Sequence, residues 1–214
     1  MYRVFTGSEA GRYSDELIGS FRLRHRVFKE RMRWKVTSQD GLERDNFDAL
    51  NPVYFTSMNE DGEVDGTWRL LPTTGPHMLR DVFRQLLDGR PVPNSPMVWE
   101  MSRLALNYDQ PVDGAPQGEG GRCTIAILFC AALEFCWMKG IRELVVVHDV
   151  RMARITQRTL GYSPTWETKR FDIDGVETTA AQYRIDSPVA FRKRRGIENP
   201  VLGLEEVIDN ESVA

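Results

Sequence analysis

The stretch "FRLRHRVFKERMRWKVTSQDGLERDNFD", Phe21 to Asp48, sets an arginine inside a helical apolar stripe and follows it with clustered acids. At about 100° per residue, Leu17, Phe21, Arg24 and Phe28 share one narrow face, while Arg22, Arg26, Lys29 and Arg33 project on the other side. A guanidinium keeps its proton when buried, so Arg24 needs carboxylates or another anion at its donors. Glu43, Asp45 and Asp48 follow in the next loop and can supply them. Such a set can be a clamp that pins the loop to the helix. With Phe28 and Trp34 added, it can equally be a pocket for a ligand that carries a heteroaromatic ring, a cation and a carboxylate, because each group then has a matching partner. A zwitterionic, nucleotide-like ligand fits that description, although each aromatic taken alone also suits ordinary core packing.

The elements that must position these groups read as follows. Ser14–Arg33 forms an amphipathic helix with Ser14 as N-cap and Asp15 and Glu16 in its first turn. A loop over Trp34–Pro52 leads to two extended runs, Val53–Asn59 and Glu63–Leu71, joined at "EDG". A short helix at Leu79–Leu87, a proline-rich connection at Pro91–Pro96 and a strand at Met97–Asn107 follow. The loop "DQPVDGAPQGEGG" opens an apolar helix, Cys123–Lys139, stopped by Gly140; strand Glu143–Val147 and helix Val150–Leu160, stopped by Gly161, come next. Phe171–Asp174 and Thr178–Asp186 make a last hairpin around "DGV". Hairpins combined with a strand-helix-strand unit predict a mixed sheet covered by helices.

The chain has 214 residues with 41% hydrophobic and 28% charged, which suits one soluble α/β domain over 1–198 and an acidic tail over 199–214. A net charge of −3 argues against a nucleic-acid partner, and the basic run Arg192–Gly196 reads as solvated surface. Met1–Thr6 lacks the order of a signal peptide, and Ile125–Met138 contains Glu134 and is too short to span a bilayer, so a cytoplasmic protein without a membrane partner is expected. Cys123, Cys130 and Cys136 form no Cys-x-x-Cys pair, and His25, His77 and His148 are scattered; no disulfide framework and no metal site is expected.

Arg24, Phe28 and Trp34, then Glu43, Asp45 and Asp48, then "WRLL" with Arg69, then "WEMSR" with Glu100 and Arg103 together resemble the acyl-homoserine-lactone synthase family, the LuxI-type autoinducer synthases of bacterial quorum sensing. The likeness covers the N-terminal half; the C-terminal half is similar in element order. It implies a fold related to the N-acetyltransferases (GNAT-like), S-adenosylmethionine as a substrate with no separate cofactor, and acyl-CoA or an acyl carrier protein as acyl donor. The amine of S-adenosylmethionine is acylated, and its carboxylate then closes a lactone and releases methylthioadenosine. Neither step needs a nucleophilic side chain; positioning and a proton acceptor suffice.

The resemblance further implies Glu100 as the base and Arg69 as a structural and catalytic partner that could bridge Asp45 or Asp48 to Glu100. Arg24, Phe28, Trp34, Asp45, Asp48 and Arg103 would bind S-adenosylmethionine. In a regular strand Glu100, Ser102 and Leu104 share a face and Arg103 points away, so a bulge near Met101 or Ser102 is expected to re-aim one of them. Ion pairing of Glu100 and Arg103 at a surface or with a neighbouring strand is the other reading of the same residues. Gly120, Gly121 and Arg122 would cradle the pantetheine phosphate. Met101, Leu104, Phe129, Val145, Val147 and Met152 are candidates for an apolar acyl slot. The strand "ELVVVHD" lacks the threonine that family members making 3-oxo products tend to carry there, which favours an unsubstituted, branched or aryl acyl group. Two further readings stay open: an N-acyltransferase acting on another amine, and a nucleotide-binding regulator without chemistry.

Overall fold

A computed structural model of the chain describes residues 1–107 and 124–202. Its centre is an eight-stranded sheet in the order β1 (Tyr2–Thr6), β4 (Val53–Met58), β5 (Val64–Pro72), β6 (Val98–Leu106), β7 (Glu143–Asp149), β10 (Val176–Arg184) and β8 (Trp166–Glu167), with β9 (Phe171–Ile173) also on β10. Every pairing is antiparallel except β6 with β7. A separate two-residue pair, β2 (Ser38–Gln39) and β3 (Leu42–Glu43), lies in the segment expected to be loop.

Side-chain alternation divides the sheet into two unlike faces. Phe55, Trp68, Leu70, Met101, Leu144 and Val146 join the main core beneath α3 (Thr124–Met138), α4 (Val150–Leu160) and α5 (Pro188–Arg195). Thr67, Arg69, Glu100 and Val145 lie on the opposite face, under α1 (Ser14–Arg24) and the short α2 (Met78–Asp81). The predicted helix α4 has the bounds Val150–Leu160 because both ends carry strong local signals. The Asp149 carboxylate accepts from the Met152 N–H at 2.7 Å, and Gly161 takes a φ of 83°.

Three elements depart from the sequence reading. The first helix begins at Ser14 itself, with Tyr13 in the capping position and no side-chain cap, and it does not run to Arg33 as an α-helix. After Arg24 the backbone widens to a π-helix over His25–Arg31, where His25 Nε2 meets Glu30 Oε1 at 3.1 Å across five residues. The helix expected at Leu79–Leu87 is α2 followed by a 3₁₀ turn at Arg84–Leu87. The acidic tail expected from residue 199 starts with a held segment: Val201 and Leu202 bond to α3.

Candidate active site

Arg24 stands where the helical stripe places it, 1% exposed, whereas Arg22, Arg26, Lys29 and Arg33 are all exposed. Its partners are brought by two backbone devices. Asp40 and Gly41, with φ of 53° and 74°, form the two-residue turn of the β2–β3 hairpin and return Glu43 to Arg24, where Nε donates to the carboxylate at 2.5 Å. Asp45 caps a 3₁₀ turn at Asn46–Ala49 through the Phe47 N–H, while Asp48 accepts from the Asp45 N–H, each at 2.9 Å. That turn aims Asp48 at Arg24, which donates to both its oxygens at 2.9 Å.

Arg69, on β5, is 0% exposed and gives two donors to Asp45, at 2.6 and 3.0 Å, and one to Asp48 at 2.7 Å. Its remaining hydrogen bonds are to Ser102 Oγ at 3.3 Å and Met78 Sδ at 3.5 Å. Arg69 therefore does not bridge to Glu100, contrary to the sequence expectation. Tyr54 adds a hydroxyl donor to Asp48 at 2.8 Å. At Arg24 and Asp48 burial works against charge, yet the hydrogen bonds and ion pairs outweigh it. The Arg24 guanidinium is raised above its ordinary value by Asp48 and Glu43, and the Asp48 carboxyl is held far below its own by Arg24 and Arg69.

The expected bulge is present. Thr67 pairs with Ala105 and Arg69 with Ser102, so β6 carries one extra residue, centred at Arg103, whose φ is 59°. A left-handed arginine costs about 1–3 kcal/mol, and here it turns the side chain onto the Arg69 face. Arg103 meets Asp45 at 2.9 Å and Glu43 at 3.2 Å, and its guanidinium lies 5.6 Å from the Phe28 ring centre. Its buried Nε–H finds no acceptor among the described residues. Leu104 consequently falls on the core face with Met101 and not on the face of Glu100. Phe28 and Trp34 stack with ring centres 5.2 Å apart and planes 1° from parallel; Phe28 is buried and Trp34 half-buried at the edge of the arginine–carboxylate network.

Glu100 is 1% exposed on the same face, but its partners are backbone groups: the Met78 and Leu79 N–H donate to its two oxygens at 2.8 and 2.6 Å. Burial pushes its carboxyl up to about 7, with those two N–H groups and the nearby arginines opposing. The folded-state value thus lies above the ordinary 4.5, so stabilisation from protonated Glu100 is complete below about pH 4.5 and lost as pH rises through about 7. The stability difference between wild type and Glu100→Gln should shrink across that window, read by chemical denaturation at several pH values. A difference independent of pH would remove the raised carboxyl.

Beyond Met101 and Val146 the parallel pairing of β6 with β7 ends, although β6 continues to Leu106 and β7 to Asp149. The two strands part there beside Glu100, Ser102 and Arg103. Of the six acyl-slot candidates, Met101, Leu104, Phe129 and Met152 gather in the core under α3 and α4, and Met101 and Phe129 line a narrow apolar cavity with Leu133, Leu144, Leu160 and Tyr183. Val145 and Val147 do not join them. Alternation along β7 sends both to the other face, against Leu79 and Leu86. Gly120, Gly121 and Arg122 lie outside the described residues. The sequence reading missed Tyr54, Ser102 and Met78 as partners of the network; the Asp-Gly pair at Asp40–Gly41 was a usable hairpin signal, and the other three carried none.

Residues 9–180 match the family model described as autoinducer synthase. An acyl-homoserine-lactone synthase of Pseudomonas aeruginosa is 44% identical over 151 residues, covering 68% of this chain and 72% of that protein. One from Aliivibrio fischeri is 36% identical over 145 residues, 68% of this chain and 73% of its own. Among solved structures, the CoA-dependent acyl-homoserine lactone synthase BjaI, with SAM and isopentyl-CoA, is similar at TM-score 0.79 and 28% identity, covering 94% of this chain and 91% of its own. The AHL synthase LasI is similar at TM-score 0.71 and 30% identity over 88% and 91% of the two chains. An N-acetyltransferase from Lactobacillus plantarum shares the fold at TM-score 0.54 and 17% identity, covering 86% of this chain and 99% of its own.

Proposed function

The chain belongs to the autoinducer synthase family and is an acyl-homoserine-lactone synthase, and from that premise we propose how its residues divide the reaction. The observation that carries the assignment is the buried network of Arg24, Arg69 and Arg103 with Glu43, Asp45 and Asp48, set beside the point where β6 and β7 part. S-adenosylmethionine lies on the α1 face. Its adenosyl and sulfonium part rests against Trp34 and Phe28, and its carboxylate takes the open Nε–H of Arg103.

The acyl thioester enters the gap between β6 and β7, with its carbonyl beside Glu100 and its acyl chain passing through to the cavity at Met101 and Phe129. Gly120, Gly121 and Arg122 precede α3 and hold the pantetheine phosphate. Glu100, directly or through one water, takes a proton from the substrate ammonium. The freed amine forms the amide C–N bond, the thioester C–S bond breaks, and the thiol leaves. The carboxylate oxygen then attacks the carbon next to the sulfonium; a C–O bond forms, the C–S bond breaks, and neutral methylthioadenosine departs. Here the gain comes from holding the carboxylate in line.

The donor is acyl-CoA or an acyl carrier protein, and the apolar lining at Met101, Phe129 and Leu133 supports an unsubstituted, branched or aryl acyl group. No described helix is long and apolar enough to cross a membrane. Substrates of this kind support a cytoplasmic location. Trp34→Ala tests the division between the two substrates. Titration calorimetry should show S-adenosylmethionine affinity falling by about tenfold, near the upper range for a cation–aromatic contact, with thioester affinity unchanged. The reverse ranking would move Trp34 to the donor side.

A further inference from the structure

Glu134 sits near the end of α3, a helix apolar on all sides, and is 0% exposed. A carboxylate there needs donors, and they come from a segment distant in sequence. The Val201 N–H donates at 3.0 Å and the Leu202 N–H at 2.9 Å to the same oxygen, the Val201 N–H also reaches the second oxygen at 3.2 Å, Arg192 Nε lies 3.8 Å away, and Cys130 Sγ adds a contact at 3.4 Å. Ile197, Val201 and Leu202 pack into the core that contains Phe129, Leu133 and Met101. The segment 197–202 is thus a strap laid across α3 and tied at Glu134, outside the span 9–180 shared with the family.

We propose that Glu134 is a positioning residue for the acyl donor: by fixing the strap it sets where α3 stands over the sheet, and so where Phe129 and Leu133 wall the acyl cavity. The inference rests on the reading above that this cavity takes the acyl chain. An all-apolar helix must be covered on every side to hold its place. The sheet covers one side of α3, and α5 with the strap covers another. The S-adenosylmethionine network lies across the sheet, against α1, and shares no residue with this arrangement. Loosening the strap should therefore reach one substrate and not the other.

The test is steady-state kinetics with S-adenosylmethionine and butyryl-, hexanoyl- and octanoyl-thioesters of CoA and of acyl carrier protein. The variants are Glu134→Leu, Glu134→Gln and a chain ending at Asn199, each checked for folding by near-ultraviolet circular dichroism. Glu134→Leu keeps the size and removes the acceptors, whereas glutamine can keep the one oxygen that takes both N–H groups. Glu134→Leu and the shortened chain should raise KM for the thioester by about tenfold, the loss expected for a charged hydrogen bond, and flatten the preference among the three chain lengths. Glu134→Gln should stay near wild type, and KM for S-adenosylmethionine should not move. Wild-type donor KM in folded Glu134→Leu, or equal rises in both KM values, would overturn the proposal; if the shortened chain does not fold, Glu134→Leu decides alone. A wild-type enzyme inert with every thioester would instead overturn the acyl-cavity reading itself.

Discussion

Arg24→Ala and Asp48→Ala should each abolish turnover and lower the melting temperature by about 6–20 °C, the shift that corresponds to about 3–5 kcal/mol in a chain of this size. The reason is what stays behind. Without Arg24, Glu43 keeps only Arg103 and loses its 2.5 Å partner, while Asp48 retains Arg69 and Tyr54. Without Asp48, Arg24 faces Glu43 alone at short range, with Asp45 at 3.9 Å. In both cases a buried charge loses one of its counterparts, and a domain of ordinary stability has little in reserve. Hydrogen exchange over 38–50 should quicken in either variant, because the β2–β3 hairpin and the Asn46–Ala49 turn are anchored through these carboxylates. Arg22→Ala, on the exposed side of the same helix, is the control and should change neither. Wild-type melting and turnover in either buried variant would reduce the network to surface pairing.

Glu100→Gln carries the second large effect: single-turnover acylation should fall by about 10²–10⁴, the usual contribution of a positioned base. The wild-type acylation rate should climb as pH passes through about 7, where the buried carboxyl gives up its proton and becomes able to accept one. The variant should lose that climb. Stability alone cannot decide the role, since an amide NH₂ would confront one of the two N–H donors from Met78 and Leu79 and cost about 1–3 kcal/mol by itself. The pH profile separates the cases. If the variant keeps the wild-type rise, Glu100 is a cap for α2 and the proton goes elsewhere; if the rise vanishes while S-adenosylmethionine affinity holds, Glu100 is the acceptor.

Sequence periodicity told which side of an element a residue faces, and that sufficed for Arg24, Phe28 and the exposed basic row, while Gly161 marked the end of α4. It could not tell which face of the sheet receives which helices. Met101 and Val145 therefore looked equivalent as apolar residues on adjacent strands, yet they lie on opposite faces. The π-helix at His25–Arg31 has no local composition signal; in the fold His25 is tied within it to Glu30 and beyond it to Ser38. The conflict between Glu100 and Arg103 was visible in "WEMSR" as a violation of strand alternation, and the left-handed Arg103 resolves it. The backbone partners of Glu100, 21 and 22 residues away, were not visible, because main-chain donors leave no trace in side-chain identity.

The most direct test is to incubate the purified protein with S-adenosylmethionine and a panel of acyl thioesters on CoA and on acyl carrier protein, and to quantify both products by mass spectrometry. Acyl-homoserine lactone and methylthioadenosine should accumulate in equal amounts from at least one thioester, with neither formed when the thioester is omitted. An N-acylated product without methylthioadenosine, or no consumption of S-adenosylmethionine with any donor, would contradict the account.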